Sequence, residues 1–420
     1  MTHHPLRAFL AASFAMTAIP AFAVTSAEVV DTYADIAEAG YADSLTTAHA
    51  LDGAIDALLA SPSQDTLDAA RAAWLAARVP YQQTEVFRFG NPIVDDWEGR
   101  VNAWPLDEGL IDYVDAGYGG AEDNDFATLN VIAHPAFTLS GADVDASAIT
   151  PALIADTLHE ADGIESNVAS GYHAIEFLLW GQDLHGLEPG AGERPWTDYA
   201  TDGCTNGNCD RRGQYLKAAS TLLVSDLEEM AANWTTGGAA RTAVTQNPDA
   251  GLRAMLTGMG SLSYGEQAGE RMKLCLMLND PQEEHDCFSD NTHNSHYHDG
   301  LGIRNVYLGR YTRVDGTEVS GPSLSELVAA KAPEVDTELK LRLDRTMDAM
   351  TALRDAAEGG MAYDQMLAAD NAEGEALITA AIDGLVSQTA SIERAVTALT
   401  LDAIAFEGSD SRDNPNAVFQ

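Results

Sequence analysis

Apolar residues in this chain recur in steps of three and four. Over residues 27–60 they fall at Val30, Tyr33, Ile36, Tyr41, Leu45, Ala48, Leu51, Ile55 and Leu58, the spacing that lines one face of a helix. Ser61-Pro62-Ser63 ends that run. Ser63 as an N-cap and Asp65 in the first turn open a second run that reaches about Phe89. Runs of the same period cover about 150–161, 166–181, 211–233, 250–279, 323–332, 335–357 and 371–405. No sustained two-residue alternation between turn residues appears, which argues against a large sheet. The expected fold class is all-α. At 420 residues the chain exceeds the ~250–300 that one hydrophobic core usually carries. Two long irregular tracts, about 90–150 and 182–210, interrupt the helical runs. The second has helical runs on both sides, so the expected architecture is two helical bundles, 24–190 and 191–420, with long irregular connections.

The charge balance narrows the partners. Asp and Glu number 65 against 23 Lys and Arg, a net charge of −42. Such a surface repels phosphate backbones and anionic headgroups, so neither nucleic acid nor a membrane surface is an expected partner. Residues 1–23 read as a signal peptide: Arg7 and two histidines, an apolar run from Ala8, and the small-x-small close Ala21-Phe22-Ala23. The expected location is therefore periplasmic or otherwise exported, with no membrane insertion. In an oxidising compartment the four cysteines suit two local disulfides, Cys204–Cys209 and Cys275–Cys287. A four-cysteine metal site is the alternative, although neither spacing is that of a zinc ribbon.

The chemistry-bearing residues lie in a few segments. In Gly171-Tyr172-His173-Ala174-Ile175-Glu176, His173 and Glu176 stand three apart on a helical run, so both project from one face. An imidazole nitrogen and a carboxylate oxygen so placed suit one shared metal ion; a hydrogen-bonded His–Glu pair uses the same spacing. Ile175, Phe177, Leu178, Leu179 and Trp180 make the helix apolar, where an unpaired Glu is expensive. Gly171 lets another backbone or a ligand approach closely. The second histidine of the zinc-peptidase pattern H-E-x-x-H is absent, since Phe177 stands four after His173. Residues 283–299 carry His285, His293, His296 and His298 with five carboxylates, Asp290 among them. They read as metal ligands or as a solvated polar loop. Glu266 and Glu270 repel at i,i+4 unless Arg271 or a metal neutralises them. Glu85, among apolar neighbours, reads equally as a partner of Arg88 or as a metal ligand.

Taken in order, these segments resemble the imelysin family, and within it the branch called iron-regulated protein A. The residues that carry the likeness are Gly171, His173 and Glu176 of G-x-H-x-x-E, with ARVPYQQTEVFRFG at 77–90, NAWPLDEGLIDYV at 102–114, SYGEQAGERM at 263–272, CFSDNTH at 287–293 and NVYLGRY at 305–311. The resemblance implies an exported, all-helical protein of two bundles with its site near the G-x-H-x-x-E helix. It also implies a part in iron acquisition, with iron as the metal and envelope iron-uptake components as partners. His173 and Glu176 match the motif itself; Glu85, Glu266, Asp290 and His293 match family segments without individual roles. Zinc or haem are the alternative cofactors. A metal-dependent peptidase and a haem- or partner-binding envelope protein are the alternative functions, the peptidase resting on the family's label alone.

Overall fold

The helices begin where side chains supply the missing backbone partners. Thr25 and Glu28 form a reciprocal cap at the head of the Ser26–Ala60 helix, Ser63 and Thr66 do so for Gln64–Gln82, and Ser323 and Glu326 for Leu324–Lys331. The computed structural model describes residues 24–118 and 124–419. The signal-peptide reading of 1–23 lies outside the described residues.

Two groups of helices account for most of the packing. In the first, Ser26–Ala60 packs against Gln64–Gln82, Cys209–Trp234, Ala239–Thr245 and Pro248–Ser261. Its interior is aromatic: the Trp234 ring lies 5.7–6.3 Å from those of Tyr33, Tyr41 and Phe87, and Trp97 meets Tyr41 at 5.9 Å. Rings in such tilted, edge-on and stacked contacts add to plain area burial. In the second group, Pro333–Glu358 packs along Ala372–Ala398 and against Thr292–Leu308. Leu262–Leu274 continues the Pro248–Ser261 helix in the wider π register and lies on Ala372–Ala398. Thr292–Leu308 also packs on Gln64–Gln82, which joins the groups. The first group thus takes in Cys209–Trp234, and residue 190 falls inside a packed set of helices rather than between two.

The all-α expectation is met. Strand pairing among the described residues is confined to two short antiparallel hairpins, Ala136–Leu139 with Ala142–Asp145 and Arg310–Thr312 with Glu318–Ser320. The tract 90–150 holds one of them, together with the Pro92–Asn102 helix, which starts on a proline at its first position. Residues 292–299 of the 283–299 stretch, read as metal ligands or a solvated polar loop, belong to the helix Thr292–Leu308. Among the described residues no helix is long and apolar enough to cross a membrane.

Of the two expected disulfides, Cys204–Cys209 is formed. The other is not: Cys275 and Cys287 are free and buried. Cys275 sits inside its own helical turn, its Sγ 2.9 Å from the Arg271 carbonyl oxygen, whereas Cys287 occupies a separate turn on the side of Glu176.

Candidate metal centre

The Gly171–Trp180 helix is buried at all ten positions. Its first residue has φ +80°, and a Cβ there would stand 2.4 Å from the Val101 carbonyl oxygen. Glycine therefore lets the helix start directly against the end of Pro92–Asn102. The Trp74 indole donates to the Tyr172 carbonyl at 2.9 Å, which fixes the same turn from the Gln64–Gln82 side.

On this helix His173 Nδ1 lies 3.1 Å from Glu176 Oε2. The other oxygen of Glu176 accepts from the Ser289 amide at 3.0 Å and from its hydroxyl at 2.7 Å. Those bonds tie the motif helix to the turn Cys287–Ser289 and bring His285 and Asp286 to His173. The two imidazole rings are 4.7 Å apart, and Asp286 Oδ1 is 3.9 Å from His173 Nδ1. Donor atoms of His173, His285 and Asp286 all lie within 4.8 Å of one another, and all three residues are buried. His173 Nε2 is buried and has no hydrogen-bond partner among the described residues.

Arg78 organises the far side. Its guanidinium reaches Asp286 at 2.8 Å and Asn102 at 2.7 Å, with Trp74, Tyr81 and Tyr172 rings 5.0–5.7 Å from it. Asn102 in turn meets His285 Nε2 at 3.4 Å. Asn291 donates to Asp286 at 2.9 Å, and the Ser295 hydroxyl does the same. Burial and then the Arg78 charge hold His173 well below the usual histidine range; burial and then Arg271 do so for His285. Burial works to raise the Asp286 carboxyl, but Arg78 and its hydrogen bonds outweigh it and keep the group ionised. Glu176 is pushed well up by burial and by Asp286. The centre thus offers two neutral imidazoles and one carboxylate, the protonation states a metal requires of its ligands.

His285, Asn102 and Trp104 also line a cavity of about 460 Å³. Six glutamates face it, Glu98, Glu160, Glu165, Glu266, Glu270 and Glu283, against Arg88 and Arg271. Trp104 stacks toward His173 with ring centroids 5.0 Å apart. His173 therefore sits behind a wall of Trp104 and His285 at the floor of an acidic opening, which attracts cations.

The other residues singled out by sequence fall elsewhere. Glu85 pairs with Arg271 at 2.6 Å, not with Arg88; Glu266 pairs with Arg271 at 2.9 Å, and Asp299 at 3.0 Å. Arg88 goes to Asp95 and Glu98. Asp290 groups with Asp183 and Asp364. His293 meets Asn294 at 3.1 Å. His296 lies beside Tyr363, its ring nitrogens without partners among the described residues. Of the residues at the centre, His285 was read with its segment as a metal ligand or polar-loop residue, whereas sequence reading gave Asp286 and Arg78 no individual role. A buried-charge signal was present in the His285-Asp286 step beside Cys287 and Phe288.

The family model described as Peptidase M75, imelysin, matches residues 37–392. The chain belongs to the imelysin family. A 57-residue stretch of this imelysin-family chain is 37% identical to iron-regulated protein A of Synechococcus elongatus; it covers 14% of this chain and 16% of that relative's length. The crystal structure of a protein described as an iron-regulated protein A precursor, from Parabacteroides distasonis, superposes with a TM-score of 0.64. It covers 90% of this chain and 97% of that one at 21% identity. At that identity the likeness establishes the shared imelysin fold.

Proposed function

We propose that this chain is an exported, iron-regulated imelysin-family protein that binds iron at His173, His285 and Asp286 and serves iron acquisition. Glu176 orients His173 in this reading: a cation at Nε2 would favour the ionised form of Glu176, whose Oε2 accepts the Nδ1 proton. The observation that carries the proposal is the buried His173 Nε2, without a partner among the described residues, on a residue whose donor atoms gather within 4.8 Å of those of His285 and Asp286. Two histidines and one carboxylate with open positions are a donor set suited to iron(II). An acidic mouth over a three-donor site also suits an ion that must arrive and leave. Relatives described as iron-regulated protein A support the biological assignment.

The test is metal analysis by plasma mass spectrometry of the chain from residue 24, untagged and loaded anaerobically with iron(II), beside His173→Ala and His285→Ala. About one iron per chain is expected in the parent and a loss in both variants. Glu176→Gln should weaken affinity by about 10–100-fold without abolishing it, as an orienting partner does. Equal iron in parent and His173→Ala refutes the assignment. Catalytic zinc also takes three protein donors and an open position, so one retained zinc together with peptide turnover would move the reading to a hydrolase.

A further inference from the structure

Asp183, Asp290 and Asp364 present carboxylate oxygens that all lie within 4.8 Å of one another. They arrive from three separate segments: just beyond the motif helix, the loop after Cys287–Ser289, and the Tyr363–Met366 turn of helix. Asp364 is only 2% exposed, and neither of its carboxylate oxygens has a hydrogen-bond partner among the described residues. Glu284, 1% exposed, has an unpartnered Oε1 and feels the charges of all three aspartates. Several other buried carboxylates meet a fixed cation: Asp286 has Arg78, Asp112 has Arg194 and Arg212, Asp299 has Arg271, and Asp336 has Lys340. At this cluster the cationic partner is the half-exposed His185, 3.0 Å from Asp183.

We propose that Asp183, Asp290 and Asp364, with Glu284 beside them, form a second cation site for a hard divalent ion of the calcium type. An all-oxygen set of carboxylates from three separate segments suits calcium, which takes 6–8 oxygens in adaptable geometry, better than magnesium with its demand for a near-ideal octahedron. Without an ion these carboxyls titrate above the usual carboxylate range. Burial and then the neighbouring Asp183 charge push Asp290 up to about 6; burial chiefly, with its two aspartate neighbours adding, pushes Asp364 up to about 7. A bound ion would tie the 284–290 stretch, and with it His285 and Asp286, to the Tyr363–Met366 turn. The site uses none of the three donors assigned to iron, so the two assignments stand or fall separately.

The experiment is a calcium titration of the EGTA-treated mature chain by calorimetry, with thermal melting in parallel at fixed ionic strength. One saturable equivalent and an upward shift in melting temperature are expected. Asp364→Asn and Asp290→Asn should each weaken binding by about tenfold or more, since affinity follows ligand charge count. Both should also melt above the calcium-free parent, because they remove repulsion; His173→Ala should bind calcium as the parent does. Uptake that never saturates by roughly millimolar calcium, or that is unchanged in Asp364→Asn, would show diffuse attraction to the acidic surface and overturn the proposal. Saturation by zinc but not calcium would overturn it equally. If one aspartate variant does not fold, Asp183→Asn replaces it and is read by the same criteria.

Discussion

Replacing Gly171 by alanine tests how the motif is built. A methyl at this position would stand 2.4 Å from the Val101 carbonyl oxygen and 2.5 Å from its carbon, where ordinary contact begins at 3.4 Å. The motif helix must therefore retreat from Pro92–Asn102 by about 1 Å, or the Val101 peptide must turn away. Holding a residue with a Cβ at φ +80° costs about 1–2 kcal/mol, and overpacking adds about 1–3 kcal/mol. The expected loss of stability is thus roughly 2–5 kcal/mol. Asn102 follows Val101 and holds both Arg78 and His285, so the same displacement should pull His173 out of register with its neighbours. Metal affinity should fall with stability.

The assay is urea denaturation followed by tryptophan fluorescence, with an iron(II) titration under native conditions. Gly163→Ala is the control: its φ is +70° and nothing lies within 4 Å of the added methyl. It carries the backbone penalty alone, about 1–2 kcal/mol, and should leave metal affinity intact. If Gly171→Ala proves no more destabilising than Gly163→Ala and binds iron equally well, the close approach to Val101 is not what the motif glycine provides.

Arg78→Met leaves Asp286 buried beside no guanidinium and should cost about 3–5 kcal/mol in urea unfolding. Adding Asp286→Asn to the same chain should restore much of that, and simple additivity of the two losses would contradict a coupled pair. Thiol titration without reductant should find two reactive groups after unfolding, Cys275 and Cys287, and none in the folded chain, where burial pushes both thiols up; none after unfolding would mean that these two are bonded. Burial raises the Asp226 carboxyl to about 6 although Arg100 opposes it. Protonation therefore favours the folded state, and this contribution is lost as pH rises from about 4 through about 6. The urea midpoint of the parent should fall relative to Asp226→Asn over that interval, and parallel curves would refute the shift.

What sequence reading recovered and what it missed share one physical cause. Periodicity detects a helix that buries one apolar face, which is how Ser26–Ala60 and Pro333–Glu358 were found within a residue or two of their ends, whereas the run opened at Ser63 was carried to about Phe89, past the end of Gln64–Gln82. It does not register Thr292–Leu308, which lies between the two groups of helices and buries Thr292, His293, Ser295, His296, Asp299, Gly300 and Gly302. Up to Gly302 the buried face is polar and small, so the apolar count there is low although most of the helix is enclosed. The centre stands in the same kind of place. The step from His173 to Glu176 was readable because both lie within one helical turn. Arg78, Asn102 and Asp286 reach them from helices and turns far apart in the chain, through hydrogen bonds that leave no local pattern. Glu85 shows the converse: its carboxylate was recognised as buried, but its partner, Arg271, is 186 residues away rather than three. In this fold, polar residues are enclosed where helices of both groups meet. Compensation for those buried groups, by guanidinium at Asp286 and Asp299 or by the cations proposed at His173 and Asp364, is therefore where function should be sought.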